Sequence, residues 1–431
     1  MSNAIPLSLV FLGLMVFLAH LFAAFYRKQM VPDVLMLLII GLIIGPVLRL
    51  VAPEDFGAFG PVFTTITLVV ILFVGGTDLS IATLSSSWKS TMTLTLTGFL
   101  SSVVVLGLMS HVFLGFSITS AIMIGAILGG TSSAMVIPMV QQMKLGEETK
   151  TVLSLEAALT DVLSFVLVLA CVQVYTQGEI HLGLTIGSVI SSFTFAALIG
   201  IVGAMIWSRY IRYIRRIKDS IFTTPAFVFI LYGVAELLGF NGAITALSFG
   251  ITMANIDTFK ALIFRKIMGG EGNKFNNTEL VFLREVSFLL KTFFFVYIGM
   301  SILFEDARAL IIGSIFTGII YAVRLFIAKY ASPKTANLFD KSVISMMTPK
   351  GLAAAVLATI PEMAGVPEGT QIKNITYAVV LFSIVVTSVL IIINDKSNKL
   401  QGFYKLFFHP KSKHHHKIHH HKKSTHENHT T

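Results

Sequence analysis

The sequence predicts an all-α polytopic membrane protein, and three observations carry that expectation. Hydrophobic residues make up 55% of the 431 and charged residues 13%, with a mean hydropathy of +0.82, whereas an ordinary soluble domain carries roughly 25% charged residues. Apolar runs of about 20 residues recur along nearly the whole chain, the length a helix needs to cross a ~30 Å hydrocarbon core. The runs are continuous stretches of Leu, Ile, Val and Phe instead of the alternating pattern of a barrel strand, and within lipid a helix satisfies its own backbone.

Taken in order, the runs give about thirteen candidate spans. The first, residues 5–26, has no basic n-region and no small-residue cleavage site after it, so it reads as a retained helix and not a signal peptide. Spans at 33–52, 62–82, 91–115, 119–142, 149–176 and 183–208 follow, separated by short polar connectors. Residues 221–239 and 243–257 form the least regular pair: Gly239, Asn241 and Gly242 make a tight break, and the two could be one re-entrant element. Spans at 281–303, 309–330, 341–361 and 373–394 complete the set. The longest polar connector, Met268 to Thr278, is too short and too glycine-rich to be more than a loop.

The connectors fall into two alternating sets. One holds Arg27, Lys28, Lys89, Lys144, Lys150, Arg209, Arg212, Arg215, Arg216, Lys218, Lys260, Arg265, Lys266, Lys274, Lys334, Lys341 and the basic tail. The other holds Glu54, Asp55, Glu179, Glu305, Asp306, Arg308, Glu362 and Glu368. Positive charge favours the cytoplasmic side, which places the amino terminus outside and the carboxyl terminus inside the plasma or inner membrane. The formal charge of +10 therefore points to inner-leaflet phospholipid as partner and not to nucleic acid. The lone cysteine, Cys171, lies in an apolar run, which leaves no disulfide framework and no thiolate cluster. No cofactor is implied.

Ionisable groups at membrane depth cost about 2.5–3.5 kcal/mol on insertion scales and mark functional candidates. Glu156 and Asp161 lie in the sixth span, five residues apart; at 100° per residue they are separated by about 140° around the helix. Two carboxylates on different faces suggest two roles, with one neutralised by a structural partner and the other facing water and taking up a cation or a proton. Arg324, in the middle of the eleventh span, needs a carboxylate partner, and Glu156 is the expected one. Lys291 in the tenth span either snorkels toward the cytoplasm or has a functional role.

Gly129, Gly130, Thr131, Ser132 and Ser133, followed by Pro138, interrupt the fifth span. Adjacent glycines and hydroxyl residues are poor helix formers, so the helix is expected to unwind there. Thr348, Pro349, Lys350 and Gly351 make a matching interruption in the twelfth span. Paired broken helices in corresponding halves point to inverted repeats with an ion site at the midplane.

These residues resemble the monovalent cation:proton antiporter superfamily, most closely its NhaP-like sodium:proton exchanger branch. The resemblance covers residues 5–394 and rests on the span pattern, Leu72-Phe73-Val74-Gly75-Gly76 with Asp78 after it, the Glu156 to Asp161 run, mid-span Arg324, and Phe294-Phe295-Val296-Tyr297-Ile298-Gly299. It implies the NhaA/NhaP-like fold, with core helices at about 91–176 and 309–394 moving against a dimer-forming scaffold at about 5–82 and 183–303. It also implies a homodimer, Asp161 as the shared cation and proton ligand, Thr131 as a ligand on the unwound helix, and Glu156 with Arg324 as a structural ion pair.

The sequence departs from the family pattern at three places. The usual Thr-Asp-Pro of the unwound helix is Thr131-Ser132-Ser133, the usual Asn-Asp is Thr160-Asp161, and an acidic residue often found in the third helix is Val74. The hydroxyl-rich break is also similar to that of the potassium-efflux branch, which leaves sodium and potassium both open.

The expected activity is exchange of Na⁺ or K⁺ for H⁺, with Asp161 and the hydroxyls of Thr131, Ser132 and Thr160 as ligands. A carboxyl taken out of water holds its proton more tightly, so proton and cation compete for one group. With Asp161 the sole obvious titrating carboxylate, one-for-one electroneutral exchange is expected. The rival readings are a proton-coupled solute symporter and a channel or sensor derived from the same scaffold; no catalytic constellation points to an enzyme. Residues 395–431 read as a disordered basic tail. Its His414, His415, His416, His419, His420 and His421 are weak metal-ligand or pH-sensing candidates, and Phe403, Tyr404, Phe407 and Phe408 are expected to anchor its start at the membrane interface.

Overall fold

The computed structural model describes residues 13–21, 33–50, 59–79, 81, 87–176, 182–217, 220–259, 274–302, 304, 306–396 and 398–408. Among them every regular element is helical. The first is α1 at 13–21. It is followed by α2 (Asp33–Leu42), α3 (Phe59–Thr77), α4 (Trp88–Leu114), α5 (Ile118–Gly129), α6 (Ser133–Gln142), α7 (Glu147–Thr176) and α8 (Leu182–Ile214). Then come α9 (Thr223–Leu237), α10 (Gly242–Ala254), α11 (Asn277–Ser301), α12 (Ala307–Ala331), α13 (Leu338–Met346), α14 (Leu352–Met363), α15 (Gly369–Lys396) and α16 (Asn398–Phe408).

Seven of the described helical runs are long and apolar enough to cross a membrane, and four shorter apolar helices accompany them. The protein is thus a multi-pass membrane protein, while the count of thirteen spans stays a reading of the sequence. Connector residues Arg27, Lys28, Glu54, Asp55, Glu179, Lys218, Lys260, Arg265, Lys266 and Glu305 lie outside the described residues, as do the tail histidines.

Helix ends follow local chemistry. Asn276 and Asn337 open α11 and α13 with reciprocal capping boxes to Glu279 and Asp340. Asp306 caps α12 by accepting the Ala309 N–H. Pro46, which has no N–H to give the ladder, lies in the π-helical turn Ile43–Val47 that ends α2. The break between α9 and α10 turns on Gly239 at φ 77°, with Asn241 capping α10, so this stretch is two helices joined by a tight turn.

Two sets of helices pack mainly among themselves: α4–α7 with α12–α15, and α2, α3 and α8–α11. In the second set glycines set the approach distances. A Cβ on Gly41 would fall 2.2 Å from Val296 O and one on Gly299 2.3 Å from Leu38 O, which locks α2 against α11. A Cβ on Gly250 would fall 2.2 Å from Phe73 O, so α10 and α3 also meet backbone to backbone. Without a hydrophobic driving force between helices in lipid, such small-residue contacts supply the van der Waals packing.

The tail expectation needs correction. Residues 395–396 continue α15, and Asn398–Phe408 form a further helix that packs against α13 and α15. Tyr404 and Phe408, one turn apart, bury themselves among Val140, Met143, Val343 and Met346. Aromatic burial at i and i+4 therefore gives this stretch a docked helix, where its net polarity suggested a disordered chain.

Candidate ion site at the crossing of two interrupted helices

The fifth and twelfth predicted spans are each broken in the structure. Gly130 is extended between α5 and α6, and Gly351 precedes α14 at φ −148° and ψ −144°. The two breaks touch: the Ser132 N–H donates to Pro349 O at 2.9 Å, and Lys350 Nζ donates to Gly130 O at 2.9 Å and to Thr348 Oγ1 at 3.3 Å. A Cβ on Gly351 would sit 2.2 Å from Ser132 Oγ, so the close crossing requires glycine there. Orphan backbone groups at one break are thereby answered by the other.

Glu156 and Asp161 occupy different surroundings on α7. Glu156, 1% exposed, receives Arg324 as a fork, Nη1 to Oε1 and Nη2 to Oε2 at 3.0 Å each, and Arg324 Nε donates to Ile344 O at 2.9 Å. The pair therefore ties α7 to α12 and to the last turns of α13. Asp161 is partly buried. Its Oδ2 accepts the Ser133 hydroxyl at 2.6 Å and the Ser133 N–H at 3.2 Å, at the start of α6.

Asp161, Ser132 and Ser133 line a cavity of about 650 Å³ that also touches Leu72, Val74 and Gly75 of α3 and Phe288 and Lys291 of α11. The cavity runs between the two helix sets. Lys291 is part of its wall, with Nζ 5.3 Å from the Phe288 ring centre.

Thr131 and Thr160, expected as ligands beside Asp161, point elsewhere. The Thr131 hydroxyl donates to Glu156 Oε1 at 3.4 Å, and its N–H donates to Thr160 Oγ1 at 3.0 Å. Thr160 in turn donates to Ala157 O at 3.1 Å and is fully buried. Both hydroxyls are used to brace the unwound turn against α7, because an extended residue at the break presents its N–H to whatever acceptor lies behind it. Gly130, Ser133, Pro349, Lys350 and Gly351 all lie at the crossing, and Ser133 is the residue that holds Asp161.

Sequence reasoning missed two features. His20, Asp78, Arg284 and Glu285 line the same cavity, with Arg284 3.9 Å from Asp78 and His20 3.5 Å from Glu285. Ser383 receives the Lys350 N–H at 2.9 Å, and its carbonyl accepts the Tyr321 hydroxyl at 2.9 Å. The signal for Ser383 was present as a hydroxyl inside the apolar run of the last span; nothing nearby in sequence pairs it with Lys350. Among the described residues no group of three or more His, Cys, Asp or Glu could hold a metal ion.

The sequence matches the profile described as sodium/hydrogen exchanger, transmembrane, over residues 13–393. The chain belongs to this family. It is 32% identical over 162 residues to Na⁺/H⁺ antiporter 1 of Methanocaldococcus jannaschii, a match spanning 36% of this chain and 37% of that one. It is 20% identical over 332 residues to K⁺/H⁺ antiporter NhaP2 of Shewanella baltica, spanning 75% of this chain and 55% of that one. The matches thus cover between about a third and just over half of those relatives' length. The structure resembles that of the sodium proton antiporter MjNhaP1 from Methanocaldococcus jannaschii at pH 8, with a TM-score of 0.71, 20% identity, and coverage of 90% of this chain and 100% of that one. That likeness establishes the fold of this family member: an all-α antiporter fold with two crossing unwound helices.

Proposed function

We propose that this chain exchanges a monovalent cation, Na⁺ or K⁺, for H⁺ across the plasma or inner membrane, with Asp161 as the shared site. The observation that carries the reading is the position of Asp161: its carboxylate faces a cavity of about 650 Å³ and rests against the crossing of two interrupted helices. Relatives named for Na⁺/H⁺ and for K⁺/H⁺ exchange both match the chain, so both ions are candidates. Hard oxygen donors suit either one: the Asp161 carboxylate, the hydroxyls of Ser132 and Ser133, and water.

A proton and a cation cannot occupy one carboxylate oxygen together, and that exclusion couples the two fluxes. A loaded site crosses the membrane more cheaply than a bare carboxylate, because desolvating an unneutralised charge costs several kcal/mol. The core set, α4–α7 with α12–α15, carries the site against a dimer-forming set in this reading. Thr131 and Thr160 hold the unwound turn, Glu156 and Arg324 hold the core together, and the basic connector ends lie in the cytoplasm, where the amino terminus is outside and the tail inside.

The test is proton flux in proteoliposomes, read with a pH-sensitive dye during separate pulses of Na⁺, K⁺ and Li⁺, for the parent and Asp161→Asn. Cation-specific flux that Asp161→Asn abolishes is expected, with no net current. Current that follows the cation would overturn one-for-one exchange and bring buried Lys350 into the proton count. Flux that persists in Asp161→Asn would remove Asp161 from the site.

A further inference from the structure

Two carboxylates away from the ion site, Asp340 and Glu368, hold corresponding places at opposite ends of the interrupted helices. Asp340 lies in the first turn of α13 and is 2% exposed. Its Oδ1 accepts the Gly146 N–H at 3.2 Å, from the turn that joins α6 to α7. A Cβ on Gly146 would come within 3.1 Å of Asp340 Oδ2, so that turn sits directly on the carboxylate. Glu368 lies in the turn that joins α14 to α15. Its Oε1 accepts the Ser117 N–H at 3.1 Å and its Oε2 the Ser120 hydroxyl at 3.0 Å, both in the opening turn of α5. In each case the turn that leaves one interrupted helix is fastened to the entry of the other.

Further bonds sit beside each fastening. Thr335 donates to Glu148 Oε2 at 2.5 Å near the Asp340 end, and Tyr175 donates to Gly365 O at 3.1 Å near the Glu368 end. A helix entry carries partial positive charge and free N–H groups, so a carboxylate is the side chain that binds it best.

We propose that Asp340 and Glu368 are positioning residues for exchange, which fix the two interrupted helices to each other at both membrane faces so that the crossing keeps its geometry while the core moves. At the centre the two breaks are joined at one place, by Ser132 to Pro349 and Lys350 to Gly130, and two rods fastened at one place could still swing about it. Ties at both ends remove that freedom. The arrangement of Asp161, Ser133 and the breaks is then set at three places along the helices' length. This inference rests on the exchange reading.

The experiment uses the full chain in proteoliposomes, with Cys171→Ala as background. Glu368→Gln and Asp340→Asn should each raise the cation concentration for half-maximal flux by about threefold or more, because loosened arrangements compete with the binding-competent one. Insertion and the pH midpoint of flux should be unchanged. Ser117→Cys with Glu368→Cys, joined by a short reducible thiol cross-linker, should bring half-saturation back to the parent value, and reduction should raise it again. A cross-link that stops flux until it is reduced would overturn the inference, since the tie would then have to open during the cycle. Parent half-saturation in both single variants would also overturn it. Absence of flux in the reduced, unsubstituted parent would instead remove the exchange reading, and this inference with it.

Discussion

Replacement of Arg324 by Ala should be among the most damaging single changes in the chain. Arg324 is 4% exposed and Glu156 1%, and the guanidinium supplies two bonds of 3.0 Å to the carboxylate. Once the arginine is gone, Glu156 keeps only the long bond from the Thr131 hydroxyl at 3.4 Å, and Ile344 O loses its donor. Breaking a buried pair by removing one partner costs about 3–5 kcal/mol. Arg324→Lys keeps the charge but not the planar fork and should fall between. Removing both charges, Glu156→Leu with Arg324→Leu, takes away the stranded ion and should recover about 2–4 kcal/mol relative to the worse single variant. The assay is the thermal midpoint of purified protein in detergent, read as recovery of the intact species by size-exclusion chromatography and compared at one heating rate. A parent-like midpoint for Arg324→Ala, or a double variant less stable than either single one, would refute the view of the pair as buried, mutually compensating charge.

Three further outcomes follow from the same contacts. Gly351→Ala places a Cβ 2.2 Å from Ser132 Oγ; overpacking of this kind costs about 1–3 kcal/mol, and flux in vesicles should fall while insertion is kept. Gly299→Ala drives a Cβ to 2.3 Å from Leu38 O, so the midpoint should drop by the equivalent of about 1–3 kcal/mol with the cation half-saturation unchanged, because neither Gly299 nor Leu38 lines the cavity. Burial raises the Glu368 carboxyl, but the bonds from Ser117 and Ser120 outweigh it and hold it below the ordinary carboxylate value. A depressed value means that its contribution is fully present above the unfolded pKa of about 4.3 and is lost as pH falls through the lower folded one; thermal midpoints measured from neutral to strongly acid pH should show an acid-side loss that Glu368→Gln lacks.

Much of the fold was legible because membrane burial writes itself into composition. Continuous apolar runs, the double glycine at Gly129 and Gly130, and the Pro349–Gly351 stretch each leave a local mark that needs no knowledge of contacts. The separation of Glu156 from Asp161 was legible for the same reason, since helical geometry alone puts them on different faces. Roles set by partners distant in sequence were not. Thr131 and Thr160 carry hydroxyls that suit a cation, yet those hydroxyls are spent on Glu156 and Ala157, and only three-dimensional proximity decides that. Gly76 and Gly299 read as family motif residues, whereas the structure gives them a steric role, since a Cβ on Gly76 would lie 2.6 Å from Leu247 O. The helix at Asn398–Phe408 escaped notice because its polar residues dominate its average, while its docking depends on two aromatic side chains one turn apart.

The crossing also constrains what can touch a transported ion. An unwound helix is expected to offer carbonyl oxygens, but Gly130 O already accepts from Lys350 Nζ and Pro349 O from the Ser132 N–H. Each carbonyl keeps a second lone pair, yet a cation placed on Gly130 O would share that oxygen with an amine donor 2.9 Å away. On the proposed reading, the ion's direct protein ligands therefore reduce to Asp161 and the serine hydroxyls that share the cavity wall, and water supplies the rest. A site with few fixed oxygens imposes little size selection, because discrimination between Na⁺ and K⁺ needs either a rigid cage or a set number of strong dipoles. On the same reading, the Ser132 and Ser133 pair, standing where the family pattern carries an acidic residue, would remove a charged ligand and leave Asp161 to bind proton and cation with weak preference among monovalent ions. Half-saturation values for Na⁺ and K⁺ that lie within about tenfold of each other in the same vesicles are the expected result, and a hundredfold preference would mean that backbone carbonyls close on the ion after all.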